Sequence, residues 1–188
     1  MRRNLGIKNY FMPLPVLLIS TYDEDGKADC MNAAWGGVHD TNQVHLCLDL
    51  SHKTSKNILL KKEFTLAFAD KKHVVEADYL GVVSGNKVDN KLEIANLKYE
   101  KSEFVDAPVL LDFPLSFDCK VTKLDQDPNT LFIVADIVNT SVDEKYLNKD
   151  GKIDFSKLDI ILFNTLNATY HTIGEKVGNA FKDGLKLK

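Results

Sequence analysis

Apolar residues in the first half of the chain fall in short runs, and several of the runs alternate. Val16-Leu17-Leu18-Ile19-Ser20-Thr21 is apolar and β-rich, with Pro13 and Pro15 before it, so it reads as a strand. Asp23-Glu24-Asp25-Gly26 supplies turn chemistry, and Gly26 is free to take positive φ. Lys27 to Ala33 reads as the returning strand. From Val44 to Leu50, apolar Val44, Leu46, Leu48 and Leu50 alternate with His45, Cys47 and Asp49, the pattern of a half-buried strand. Phe64 to Ala69 is another. In the second half, Leu115 to Leu124 alternates, and Leu131 to Val138 is almost unbroken apolar sequence, as a strand buried on both faces would be. Ile160 to Phe163 and Ala168 to Ile173 complete the strand set.

Three stretches carry helical signals. Ser51 to Lys62 has Ser51 or Thr54 as a cap, with Ile58, Leu59 and Leu60 for a core. Val74 to Leu80 is the second. Asn86 to Asn96 is the third, with Val88, Leu92 and Ala95 at helical spacing. Many short strands with a few inserted helices predict a mainly β fold with α decorations, in a closed or nearly closed barrel. No repeat, linker or abrupt change of composition divides the chain, so residues 1–188 are expected to form a single domain.

Composition narrows the function. The chain has 188 residues and a formal charge of −3, with no clustered basic face to follow a nucleic-acid backbone. Cys30, Cys47 and Cys119 are odd in number and include no CxxC pair. A disulfide framework is not expected, and a reducing compartment, the cytoplasm, is. No apolar region follows Met1-Arg-Arg, and no run nears the ~20 apolar residues that span a bilayer. Two calcium-loop mimics, Thr21 to Asn32 and Tyr146 to Lys157, lack carboxylates at their first and last places. The five histidines show no zinc spacing. The sequence has no Rossmann fingerprint, no P-loop and no serine elbow. No metal site is expected.

Two segments do carry chemistry. Ser51-His52-Lys53-Thr54-Ser55-Lys56-Asn57-Ile58 stands where a strand gives way to a short helix. Unpaired N–H groups and the helix dipole favour an anion there; Lys53 adds charge, and Ser51, Thr54 and Ser55 add hydroxyls. A phosphate monoester suits such a pocket. A Ser/Thr-capped helix with solvated lysines suits the same residues. In Met31-Asn32-Ala33-Ala34-Trp35-Gly36-Gly37, small residues would let a planar ligand lie close to backbone amides. Taken alone, Trp35, the only tryptophan, reads as a core residue.

The two segments belong to a longer pattern. It runs Pro15-Val16 into Ser20-Thr21, then Asn32-Ala33-Ala34-Trp35-Gly36, His52-Lys53-Thr54 with Asn57-Ile58, and Gly81-Val82-Val83-Ser84-Gly85 with Val88-Asp89-Lys91. Tyr170-His171-Thr172-Ile173-Gly174 and Val177-Gly178-Asn179-Ala180-Phe181 close it. Over about residues 10 to 184 the chain resembles the flavoredoxin branch of the flavin reductase-like, FMN-binding split-barrel family.

That resemblance implies a six-stranded split β-barrel of Greek-key type and a homodimer with FMN near the interface. It places His52, Lys53 and Thr54 in the phosphate loop, with Asn57 supporting it, and Ser51 joins them as a cofactor-binding candidate for its hydroxyl at the helix start. Asn32, Ala33, Ala34 and Trp35 are placed along the isoalloxazine ring, and Ser20 and Thr21 at a strand end near the ring or ribityl chain. Ser84 and Gly85 lie on a loop that approaches the flavin. Tyr170 is either structural or near the site. The implied activity is an oxidoreductase moving electrons between a donor such as NAD(P)H and a flavin or protein acceptor, the alternative being an electron carrier or sensor. Relatives often carry a His just before the strand at Leu131–Val138. Here Asp127-Pro128-Asn129-Thr130 stands instead, and Asn129 cannot carry a proton at neutral pH.

Overall fold

The computed structural model describes all 188 residues. The main sheet contains β2 (Leu17–Tyr22), β3 (Ala28–Ala33), β4 (Gly36–Asp40), β5 (Gln43–Asp49), β6 (Glu63–Phe68), β9 (Leu115–Gln126) and β10 (Thr130–Val142). They lie in the order β3-β2-β6-β9-β10-β5-β4, each pair antiparallel. The β2–β3 turn is the one expected. The Asp23 carboxylate accepts from the Asp25 and Lys27 amides, and Gly26 has φ of +77°.

Only Ala34 and Trp35 separate β3 from β4, and there the chain changes partner. Ala33 pairs with Leu17 of β2, whereas Gly36 pairs with Leu46 of β5. The Trp35 carbonyl accepts from the Cys47 amide at 2.9 Å. One bent strand thus joins the two edges of the sheet, and the seven segments make a six-stranded barrel. The bend needs Gly36, because a Cβ there would stand 2.9 Å from the His45 carbonyl oxygen. In β10 two register shifts, at Val134/Ala135 and Ile137/Asn139, let a 13-residue strand curve around the barrel.

Two apolar cores result. Alternate residues of the strands fill the barrel, among them Leu17, Ile19, Leu46, Phe64, Leu66, Leu131 and Ile133. The other face of β2 and β3 is covered by α2 (Val74–Val82) and α3 (Lys91–Ile94). Val16, Leu18, Cys30, Ala77, Leu80 and Leu92 pack in that layer. A small sheet of β1 (Leu14–Pro15), β11 (Ile161–Asn164) and β12 (Thr169–Thr172) closes one end. The hairpin of β7 (Tyr99–Lys101) and β8 (Pro108–Leu110) lies against β2 and β6. α1 (Lys53–Lys61) follows β5.

Two expectations need correction. The strand buried on both faces is β2, not β10. In β10, Leu131, Ile133 and Ala135 are buried while Phe132 and Val138 face outward and are exposed. The helix expected over Asn86–Asn96 is only the turn Lys91–Ile94. Ahead of it the amides of Lys87 and Val88 turn back onto the Ser84 carbonyl, and the loop closes on buried Asp29.

Candidate functional site

The bent strand and α2 enclose a cleft of about 490 Å³. One wall is the barrel rim, with Met31 to Trp35, Cys47 to Asp49, Asn129 and Thr130. The other is Asp78, Gly81 and Val82 of α2, with Phe163 of β11 and Tyr170 of β12. Close packing of α2 on β3 sets the width. The Asn32 side-chain amide donates to the Ala77 carbonyl at 3.0 Å, and a Cβ at Gly81 would lie 3.2 Å from that of Asn32. Trp35 is not a core residue; it stands 54% exposed at the mouth. The amides of Ala34 and Trp35, at the partner switch, find no acceptor within the protein.

The cleft runs on into a smaller chamber of about 280 Å³, and Met31, Asn32, His52, Gly81 and Val82 border both. Lys53, Thr54, Ser84, Gly85, Asp29 and Lys91 supply the rest of its polar lining. The first turn of α1 opens onto it. Neither Ser51 nor Thr54 caps that helix: the N-cap position is His52, which makes no side-chain bond to it. The Thr54 hydroxyl donates instead to Asp29 at 2.8 Å, and that of Ser55 to the Asp49 carbonyl at 2.7 Å. The amides of Lys53, Thr54 and Ser55 are therefore without an acceptor in the protein, three donors aligned at the positive end of the helix.

Charge around the chamber is paired. Lys53 Nζ is 3.0 Å from Asp23 and largely shielded, so the solvated-lysine reading does not hold for it. Burial pushes the Asp23 carboxyl up. Hydrogen bonds from Lys53 and from the Lys27 and Asp25 amides outweigh burial and hold it below the ordinary carboxylate range. Asp29 and Lys91, both buried, are 3.5 Å apart. Lys91 also donates to the carbonyls of Cys30 at 2.6 Å and Leu80 at 3.3 Å, tying β3 to α2 behind the chamber. The helix dipole is thus the main uncompensated positive feature. In the cleft, Tyr170 donates to Asp78 at 2.8 Å. Burial and then the Asp78 carboxylate push its phenol up to about 12.

The expected residues separate into two groups. Asn32, Ala33, Ala34, Trp35 and His52 line the cleft, and His52, Lys53, Thr54, Ser84 and Gly85 line the chamber. Ser20 and Thr21 stand behind that wall, and Asn57 borders a separate surface pocket with Lys53, Lys56 and Gly85. Asn57 donates to the Thr21 hydroxyl at 3.0 Å, bracing α1 on β2, and Ser20 is fully buried across the ladder from Cys30. Ser51 is exposed outside both spaces, its carbonyl accepting from Asn86 at 2.9 Å. Unforeseen members are Asp29, Asp78 and the rim from Cys47 to Asp49. Lys91, although part of the quoted motif, was not expected in the site; a lysine in an amphipathic stretch reads as solvated.

A largely apolar cleft that opens on a helix N-terminus, set on the rim of a split barrel, has the shape to hold a planar ring with an anionic tail. The chain matches the flavin reductase like domain over residues 9–157 and belongs to that FMN-binding family. Its fold is similar to flavoredoxin of Desulfovibrio vulgaris (Miyazaki F): TM-score 0.91, 29% identity, covering 98% of this chain and 100% of that one. It is similar also to flavoredoxin from Methanosarcina acetivorans: TM-score 0.89, 28% identity, covering 100% of both chains. An uncharacterised protein of Aquifex aeolicus is 24% identical over 153 residues, 78% of each chain.

Proposed function

We propose that the chain is an FMN-dependent oxidoreductase of the flavoredoxin and flavin reductase type. It would move electrons between a donor such as NAD(P)H and a flavin or protein acceptor. The observation that carries this reading is the continuity of an apolar slot with three acceptor-free amides at the head of α1. The cleft volume is within the usual range for small-molecule sites. The slot suits a planar ring, and the chamber suits a phosphate.

The protein's own groups would bind and orient. The amides of Lys53, Thr54 and Ser55 would donate to phosphate oxygens, with Lys53 beside them. Thr54, turned toward Asp29, holds the turn in place. The amides of Ala34 and Trp35 would meet the polar edge of the ring. Trp35 and Met31 would shield it from water. Bound there, FMN supplies reversible electron transfer, so no nucleophile or general base is required of the chain. The exposed mouth at Trp35 agrees with the homodimer that the family resemblance implies.

One observation favours the second reading, a carrier or sensor without NAD(P)H turnover of its own. The loop before β10 contributes Asn129 to the cleft and β10 begins there with Thr130, and neither can titrate near neutrality. His52 is the one imidazole among the cleft's lining residues. NAD(P)H oxidation, measured anaerobically with and without added FMN, separates the readings. Turnover that depends on added FMN is expected for the oxidoreductase. A bound flavin that no nicotinamide reduces would leave the carrier.

A further inference from the structure

The acids around the cavity fall into two sets. Those at the phosphate end are neutralised: Asp23 pairs with Lys53 and Asp29 with Lys91. Those at the ring end are not. Asp78 of α2 and Asp49 at the end of β5 both line the larger cleft, and its lining includes no lysine or arginine. Neither acid forms an ion pair. The chain's arginines, Arg2 and Arg3, are in the exposed N-terminal segment. Each carboxylate is held by a neutral donor instead. Tyr170 donates to Asp78 at 2.8 Å, and its ring lies against Phe163 with 5.9 Å between centroids. The Ser51 amide donates to Asp49 at 2.8 Å, and hydrogen bonds from Ser51 hold that carboxyl below the ordinary range. A phenol and a serine fix direction but cancel no charge.

Two uncompensated carboxylates therefore border a lining that is otherwise largely apolar. Such groups discriminate by repulsion: they tolerate a neutral ring, attract a cationic one and disfavour an anionic one. The cavity is thus positive at the head of α1 and negative at the ring end, which also sets the direction in which a flavin phosphate enters.

We infer that the ring end of the cleft binds uncharged or cationic planar rings and excludes rings bearing an anionic group, and that Asp78 imposes the choice. This rests on the flavin reading above, because the ring end is where a donor or acceptor would reach the cofactor. A dihydronicotinamide ring, which is neutral, and the cationic ring it becomes both satisfy the rule when the dinucleotide's phosphates stay outside the cleft.

Benzamidine, benzamide and benzoate share one planar shape and are cationic, neutral and anionic, so they read charge alone. Each is titrated into the FMN-loaded protein, followed by the flavin absorption band, and into the flavin-free protein, followed by fluorescence of Trp35, the only tryptophan. The flavin-free series removes the phosphate's own charge. Work at about pH 8 keeps the nearby His52 imidazole uncharged, as an ordinary imidazole is there. Benzamidine should bind tightest and benzoate weakest, with at least about a fivefold span. Asp78 and Asp49 also face water, so the span should narrow at high salt. Asp78→Asn keeps an acceptor for Tyr170; it should flatten the series while leaving benzamide affinity in place. Equal affinities, tightest binding of benzoate, or binding of none of the three overturns the inference. A span that survives Asp78→Asn overturns the assignment to Asp78. Failure to take up FMN, with the flavin-free series still ordered by charge, would strike the flavin reading and leave the charge selection standing.

Discussion

Tyr170 and Asp78 show how single residues set the character of the cleft. Burial and the neighbouring carboxylate both disfavour the phenolate, so the phenol is pushed up to about 12. A raised folded-state value stabilises the fold fully below the ordinary value of about 10 and loses that contribution as pH rises through the folded one. Burial raises Tyr22 as well, so phenolate absorbance on titration should show the Tyr170 phase as the late component lost in Tyr170→Phe, and Asp78→Asn should bring that phase back toward the ordinary range. If the late phase persists in Asp78→Asn, burial alone sets it. How much of the site was readable also divides at this scale. Asn32 to Trp35 and His52 to Thr54 could be named because small residues, hydroxyls and a lysine cluster locally. Asp78 and Asp29 could not, because each meets its partner only across the fold, 92 positions from Tyr170 and 25 from Thr54. Thr21 and Asn57 were legible as polar residues near the site. Whether they face a ligand or each other depends on the packing of α1 against β2.

Elements explain which patterns could be trusted. The alternation in β5 and β9 was readable because one face of each meets the barrel core. The unbroken run in β10 misled because its outward apolar residues are uncovered within the chain, and the equally unbroken β2 is the strand packed on both sides. β4 carries no strand signal because Gly36-Gly37 is poor strand-forming sequence, yet Gly36 is where the strand bends to close the barrel. The loop at Ser84-Gly85 offers the sharpest test at this scale. A Cβ on Gly85 would fall 2.5 Å from the Asp29 carboxylate, and that carboxylate is held by Thr54 and Lys91. Gly85→Ala should therefore cost about 1–3 kcal/mol, as overpacking does, and should weaken FMN binding because Thr54 loses its anchor. An unchanged denaturant midpoint would show that Asp29 can move aside.

For the whole molecule, a closed barrel supplies a rigid rim, a helical layer supplies the facing wall, and a short helix turns its unpaired amides into the space between. The rigidity matters because the amides at both ends of the cavity are useful only if held in position before a ligand arrives. The account stands on the phosphate end. Comparative titration of the protein with FMN and with riboflavin, which lacks the phosphate, tests it most directly. Charge-assisted hydrogen bonds contribute roughly 1.5–3 kcal/mol each, so FMN should bind at least about tenfold more tightly. Equal affinity for the two, or binding of neither, would contradict a phosphate site at the head of α1.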